Sequence, residues 1–135
     1  MSDVSMARSK DAEPIAELEH ALNQLILAGR FIEGYESFYA DDIVMQELTD
    51  EPCLGKDANR QRQNQFFGLV QEVHSVQLLG GALAGNQAYS EWVYDISFKD
   101  GLRYRLSEVA VREWADGRVV RERFYWDRSK YPYEV

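Results

Sequence analysis

The stretch from Ala88 to Trp126, AYSEWVYDISFKDGLRYRLSEVAVREWADGRVVRERFYW, decides the fold. Ala88, Ser90, Trp92, Tyr94, Ile96 and Phe98 alternate with Tyr89, Glu91, Val93, Asp95 and Ser97, the period of two that puts successive side chains on opposite faces of a strand. Asp100-Gly101 and Asp116-Gly117 suit hairpins whose turn residues need positive φ. They divide the stretch into three antiparallel strands, about 87–99, 102–114 and 118–126. With Asp116-Gly117 as a two-residue loop, Trp114 pairs with Val119, Val111 with Glu122, Val109 with Phe124 and Ser107 with Trp126. One face then carries Val109, Val111, Val120, Phe124 and Trp126 around Glu122, and is the expected core or pocket face. The other carries Glu108, Arg112, Trp114, Arg121, Arg123 and Tyr125.

Upstream, the period changes. Ile15, Leu18, Leu22, Leu25 and Ile26 predict a helix over about 12–28, with Asp11 as its cap and Gly29 as its stop. Phe31, Ile32, Tyr35, Phe38 and Tyr39 predict a second helix, ending at Ala40-Asp41-Asp42. Ile43–Glu47 reads as a short strand, and Asp57 can cap a third helix running to about 72. His74–Leu83 reads as a strand with a bulge at Gly80-Gly81, turning at Gly85-Asn86. Residues 1–11 read as a disordered tail and 12–135 as a single domain. Three helices before a long bent sheet imply an α+β fold, with the helices packed on the concave face of a curved, mostly antiparallel sheet as a cone-shaped barrel. Such a cone leaves space for a small ligand.

The 135 residues are 45% hydrophobic and 28% charged, which suits a folded domain and excludes a disordered chain. The net charge of -8 opposes nucleic acid and anionic membrane as partners. No apolar run approaches the ~20 residues of a membrane span, and Met1–Lys10 lacks a signal-peptide core, so a cytoplasmic location is expected. Cys53 stands alone, so no intrachain disulfide forms. With only His20 and His74 besides, neither a metal nor a cofactor is expected.

Three residues stand out as candidate acids or bases. Glu122 is the one ionisable group on its apolar stripe, and two readings fit it: a buried carboxylate tied to an arginine or tyrosine, or an acid facing a ligand. Glu47 shares the parity of Ile43 and Met45 and closes their strand at the pocket rim, where desolvation raises a carboxyl toward the range of a general base. His74, at a helix–strand junction, is either structural or next in line as a catalyst. The expected pocket walls are Met45, Trp92, Tyr94, Ile96, Val109, Val111, Phe124 and Trp126.

Several local strings resemble a known family. Leu27-Ala28-Gly29-Arg30-Phe31, Phe38-Tyr39-Ala40-Asp41-Asp42-Ile43-Val44, the Gly55-Lys56-Asp57 helix start and Asp116-Gly117-Arg118-Val119-Val120-Arg121-Glu122-Arg123-Phe124-Tyr125-Trp126-Asp127 are similar to the nuclear transport factor 2-like superfamily, and to its SnoaL-like branch in particular. The resemblance spans roughly residues 12–127. It implies a superfamily of ketosteroid isomerases, polyketide cyclases, dehydratases and binding proteins. By this resemblance the isomerases' catalytic aspartate falls at Glu47, five residues after Asp42. Their oxyanion-holding tyrosine falls at Leu22 and their protonated aspartate near Ala110, so neither donor is kept, and Tyr94 or the Trp126 indole stands as a replacement. SnoaL-like relatives carry acidic chemistry on the last strands, where Glu122 matches.

The expected function is a small-molecule pocket protein, a cofactor-independent isomerase, cyclase or dehydratase acting on an apolar carbonyl compound. The alternatives are a non-catalytic binder of a hydrophobic metabolite and a dimerisation module with a filled cone. A homodimer through the outer sheet face is expected, since that face mixes arginine, glutamate and aromatic residues.

Overall fold

The structure, a computed structural model, describes residues 2–130, and side chains for residues 14–129. Its elements in chain order are α1 (Ser2–Leu27), α2 (Phe31–Phe38), β1 (Tyr39–Glu47), β2 (Cys53–Leu54), α3 (Lys56–Leu69), β3 (Val70–Ala84), β4 (Gln87–Phe98), β5 (Arg103–Ala115) and β6 (Arg118–Tyr125). The fold is α+β, three helices with a curved six-stranded mixed sheet of order β2-β1-β6-β5-β4-β3. All neighbours are antiparallel except β1 and β6, which run parallel.

Several boundaries differ from the sequence reading, among them α3, which ends at Leu69 rather than about 72, so that β3 begins at Val70 rather than His74. The helix expected to start near residue 12 begins at Ser2, taking in most of the stretch read as a tail. β1 begins at Tyr39, directly after α2, so the Ala40-Asp41-Asp42 segment read as a helix end is strand. The consequence is that Tyr39, apolar on a helical count, points into the sheet core at 6% exposure.

Three core contacts fix the helices. α2 lies close on α1 because Gly34 has no side chain: a Cβ there would stand 2.9 Å from Leu22 Cδ1. Leu22 and Ile26 of α1 join Tyr35, Tyr39, Ile43, Trp92, Trp114 and Val119 in one buried cluster. Burying each such side chain contributes roughly 1.5–3 kcal/mol. Lys56 holds the end of α2, its Nζ donating to the Glu36 carbonyl at 3.0 Å and the Tyr39 carbonyl at 2.8 Å.

The largest correction is one of register. The hairpin starts as expected, with Asp116 and Gly117 at φ 52° and 76° and Trp114 opposite Val119. The next pair is Glu113 with Arg121, so Val120 is an extra residue, a β-bulge. Beyond it every partner moves by one: Arg112 faces Glu122, Ala110 faces Phe124 and Val109 faces Tyr125. A one-residue slip exchanges faces. Glu108, Ala110, Arg112 and Trp114 therefore point inward, while Val109, 37% exposed, and Val111 belong to the outer face.

Candidate functional site

Between helices and sheet lies a cavity of about 190 Å³. α1 contributes Leu22 and Ile26, α2 Phe31 and Tyr35, α3 Gln63, Phe66 and Phe67, and the strands Tyr39, Met45, Val73, Tyr94, Ile96, Leu106 and Phe124. Four charged residues share this apolar lining: Glu47, Glu108, Arg112 and Glu122. Phe31 stacks on Phe67 with centroids 5.6 Å apart, and Phe66 meets Phe98 edge-on at 6.0 Å, so one wall is a chain of aromatic contacts between α2, α3 and the sheet.

The charged residues form two unlike groups. Arg112 donates through Nε to Glu122 Oε2 at 2.6 Å and through Nη1 to Glu19 Oε2 at 3.0 Å and Asn23 Oδ1 at 2.7 Å. The Tyr39 hydroxyl donates to Glu122 Oε1 at 2.6 Å, and the Trp114 indole to Glu19 Oε1 at 3.0 Å. Both oxygens of each carboxylate are thus engaged. Burial pushes the Glu122 carboxyl up, and the Arg112 charge with the Tyr39 and Arg112 hydrogen bonds pulls it back. Of the two readings of Glu122, the ion-paired one describes its contacts.

Glu47 and Glu108 form the second group. Glu47, 8% exposed, accepts a hydrogen bond from the Trp126 indole at Oε2, 2.7 Å away. Burial pushes its pKa to about 7, against the Trp126 hydrogen bond and the charges of Arg62 and Arg128. Glu108 is pushed to about 8, by burial first and then by the charges of Glu47 and Glu122. Among the described residues no hydrogen bond or ion pair reaches the Glu108 carboxyl. Arg112, which might have paired with it, is taken by Glu19 and Glu122. The Tyr94 hydroxyl and the Gln63 amide line the same cavity, also without a hydrogen-bond partner among the described residues. Burial holds Tyr94 far above the ordinary phenol range, so its hydroxyl is a neutral donor.

The other expected site residues divide. Met45, Tyr94, Ile96 and Phe124 line the cavity; Trp92 is fully buried behind it, its indole donating to Ser90 Oγ at 2.8 Å. Trp126 enters through its bond to Glu47. Val109 and Val111 do not belong to the pocket, for the register reason above. Nor does His74, the extra residue of a bulge between Val73 and Ser75, whose ring meets Ser97 Oγ at 2.6 Å on the outer side. Sequence reasoning missed Glu108. The signal available was charge complementarity, since an arginine opposite the lone inward glutamate of β6 fixes the face of β5.

A family model described as a SnoaL-like domain matches residues 14–126. No curated protein matches the chain. Among solved structures, a provisionally assigned SnoaL-like polyketide cyclase from Mesorhizobium loti is 29% identical, with a TM-score of 0.75 over 82% of this chain and 97% of its own. An NTF-2 like protein of unknown function from Burkholderia xenovorans LB400 is 22% identical, with a TM-score of 0.66 over 93% of this chain and 98% of its own. TerC, co-crystallised with polyporic acid, is 15% identical, with a TM-score of 0.73 over 87% of this chain and 95% of its own. The last two show the fold alone. Among the described residues no helix is long and apolar enough to cross a membrane, and no group of side chains is arranged to hold a metal ion.

Proposed function

The chain belongs to the family of SnoaL-like domains, and from that premise we propose a cofactor-independent isomerase, cyclase or dehydratase that moves a proton on an apolar carbonyl compound. The observation that carries this reading is the pair of cavity-lining carboxyls, Glu47 and Glu108, neither held in an ion pair among the described residues and both set in a mostly apolar lining. The apolar side chains of α1, α2 and α3 that share the lining desolvate the pair. The Trp126 hydrogen bond and the charges of Arg62 and Arg128 favour the ionised form of Glu47, and Glu108 has no hydrogen bond among the described residues to do the same, so Glu47 ionises first. At neutral pH Glu47 is therefore the base that takes a proton from the carbon beside the carbonyl. Glu108 keeps its proton and, with the Tyr94 hydroxyl, donates to the oxygen on which negative charge develops. The Trp126 indole holds Glu47 Oε2, leaving Oε1 for the substrate. The cyclase assignment of the Mesorhizobium loti relative supports the same chemistry.

A metabolite screen by thermal shift identifies the ligand, since a compound at a hundred times its dissociation constant stabilises by ~2.7 kcal/mol. On the substrate so found, Glu47→Gln is expected to lower kcat by ~10² to 10⁴ with ligand affinity nearly kept. Turnover unchanged in Glu47→Gln removes the base, and the cavity is then a binding site alone.

The protein acts in the cytoplasm as a homodimer, paired through the outer sheet face. That face differs from the one expected, because Glu108, Arg112 and Trp114 leave it and Val109 and Val111 join Tyr89 and Tyr125 there. The exchange makes it more apolar, in keeping with an interface core. Light scattering is expected to report a dimer for the native chain and a monomer for Val109→Glu; a monomer in both ends the dimer reading.

A further inference from the structure

We propose that the ligand of this cavity carries a compact positive charge, a tertiary or quaternary ammonium group seated among the aromatic walls with the Glu47 and Glu108 carboxyls beside it. The inference rests on the cavity being a ligand site, as argued above, and narrows its substrates to carbonyl compounds that bear an amine.

Three observations meet in it. First, the cavity is walled by Tyr35, Phe66, Tyr94 and Phe124 among other aromatic residues, and aromatic rings attract cations through their π-faces, most strongly where water is excluded. Second, three carboxyls line the cavity and one guanidinium does. That guanidinium is already shared between Glu122 and Glu19, so it does not pair with a third carboxyl. Third, among the described residues no cation forms an ion pair with the other two acids: Arg62 and Arg128 act on Glu47 by charge at a distance, Arg128 being turned to Asp50 by a pair of hydrogen bonds, and Glu122 opposes both carboxyls. An anionic ligand is repelled by whichever of these acids are ionised, and a neutral one gains nothing from their field. An ammonium group answers it.

The same geometry sets a pH dependence. A cation favours an ionised carboxyl, so its affinity grows as Glu47 loses its proton through about 7, with Glu108 still protonated at neutral pH, and grows further as Glu108 ionises above about 8. The groups facing Glu47 are Trp126, Arg62, Glu122 and Arg128, and those facing Glu108 are Glu47, Glu122 and Arg112. Of these only the two acids and Glu122 titrate below pH 9, and Glu122 is held by its ion pair. Affinity for a cation therefore rises from pH 6 to pH 9.

Isothermal titration with three probes of one shape tests this: choline chloride, its uncharged isostere 3,3-dimethylbutan-1-ol, and the anion 3,3-dimethylbutanoate, at constant ionic strength. Choline is expected to bind about tenfold tighter than the alcohol at pH 9, to lose that advantage at pH 6, and the anion not to bind. In the Glu47→Gln, Glu108→Gln double variant the charge preference is expected to vanish while the alcohol still binds. Alcohol binding as tight as choline at pH 9 in the native protein overturns the inference and leaves the proposed pocket standing. Should none of the probes bind, the inference and the pocket reading both fall.

Discussion

Two acidic centres lie side by side where the helices meet the sheet, and they are built on opposite terms. Around Arg112, each carboxylate oxygen of Glu19 and Glu122 has a donor, drawn from Arg112, Asn23, Tyr39 and Trp114 on α1, β1 and β5. Around the cavity, Glu47 has a single indole and Glu108 has no hydrogen-bonding partner among the described residues. Taking a carboxylate out of water costs several kcal/mol unless hydrogen bonds and charge compensate it. The first centre compensates with a donor on every carboxylate oxygen and ties α1 to the sheet. The second compensates by keeping a proton, which leaves a group that can exchange one. Saturation marks structure; want of a partner marks chemistry.

The comparison breaks most visibly if Arg112 is removed. Arg112→Met leaves Glu19 and Glu122 as uncompensated buried charges and is expected to destabilise by about 3–5 kcal/mol in urea denaturation. Glu108→Gln, at the other centre, is expected to leave stability unchanged or raise it, since an amide needs no desolvation of charge. Were the two substitutions to cost the same, the contrast between the centres would not exist.

How much of this the sequence disclosed follows from what each signal depends on. The alternation in Ala88–Phe98 depends on one strand alone, and its inward set, Ala88, Ser90, Trp92, Ile96 and Phe98, is the buried set. The Glu47 position follows from the parity of Ile43 and Met45 on a short strand, and the carboxyl does line the cavity. The β5 face was not legible in the same way, because it was inferred across a hairpin and one bulged residue, Val120, inverts everything beyond it. The β-branched Val119-Val120 pair carries no glycine to announce the bulge. Glu108 and Arg112 were thus assigned outside, and with them went both the counter-ion of Glu122 and the second cavity acid. His74 illustrates the same physics from the other side, its bulge turning it away from the cavity.

A pH series sharpens the comparison. At the cavity the native state holds protons that the unfolded chain has already released, so stability falls as pH rises from about 4.5 through about 8. A rise from 4.5 to about 7 at Glu47, at about 1.4 kcal/mol per unit, is worth on the order of 3 kcal/mol. Denaturant midpoints measured from pH 5 to pH 9 are expected to decline in the native chain and to flatten in the Glu47→Gln, Glu108→Gln double variant. A decline of equal size in that variant would move the titrating groups elsewhere.

The smallest effect lies in two phenols that face the two centres. Tyr39 donates to Glu122 at 2.6 Å, and hydrogen bonds to charged groups are worth about 1.5–3 kcal/mol, so Tyr39→Phe is expected to cost about 2 kcal/mol. Tyr94 presents its hydroxyl to the cavity without a described partner, and its ring stacks on Trp92 at 6.1 Å, a contact that phenylalanine keeps. Tyr94→Phe is therefore expected to change stability by less than about 0.5 kcal/mol, because no protein hydrogen bond is lost. The informative result is the pairing of this silence with turnover: a variant as stable as the native chain but slower on its substrate shows that the hydroxyl bonds the ligand and nothing else. A loss of stability matching that of Tyr39→Phe would show instead that both phenols hold the fold together, and the cavity would have one donor fewer than the proposed chemistry requires.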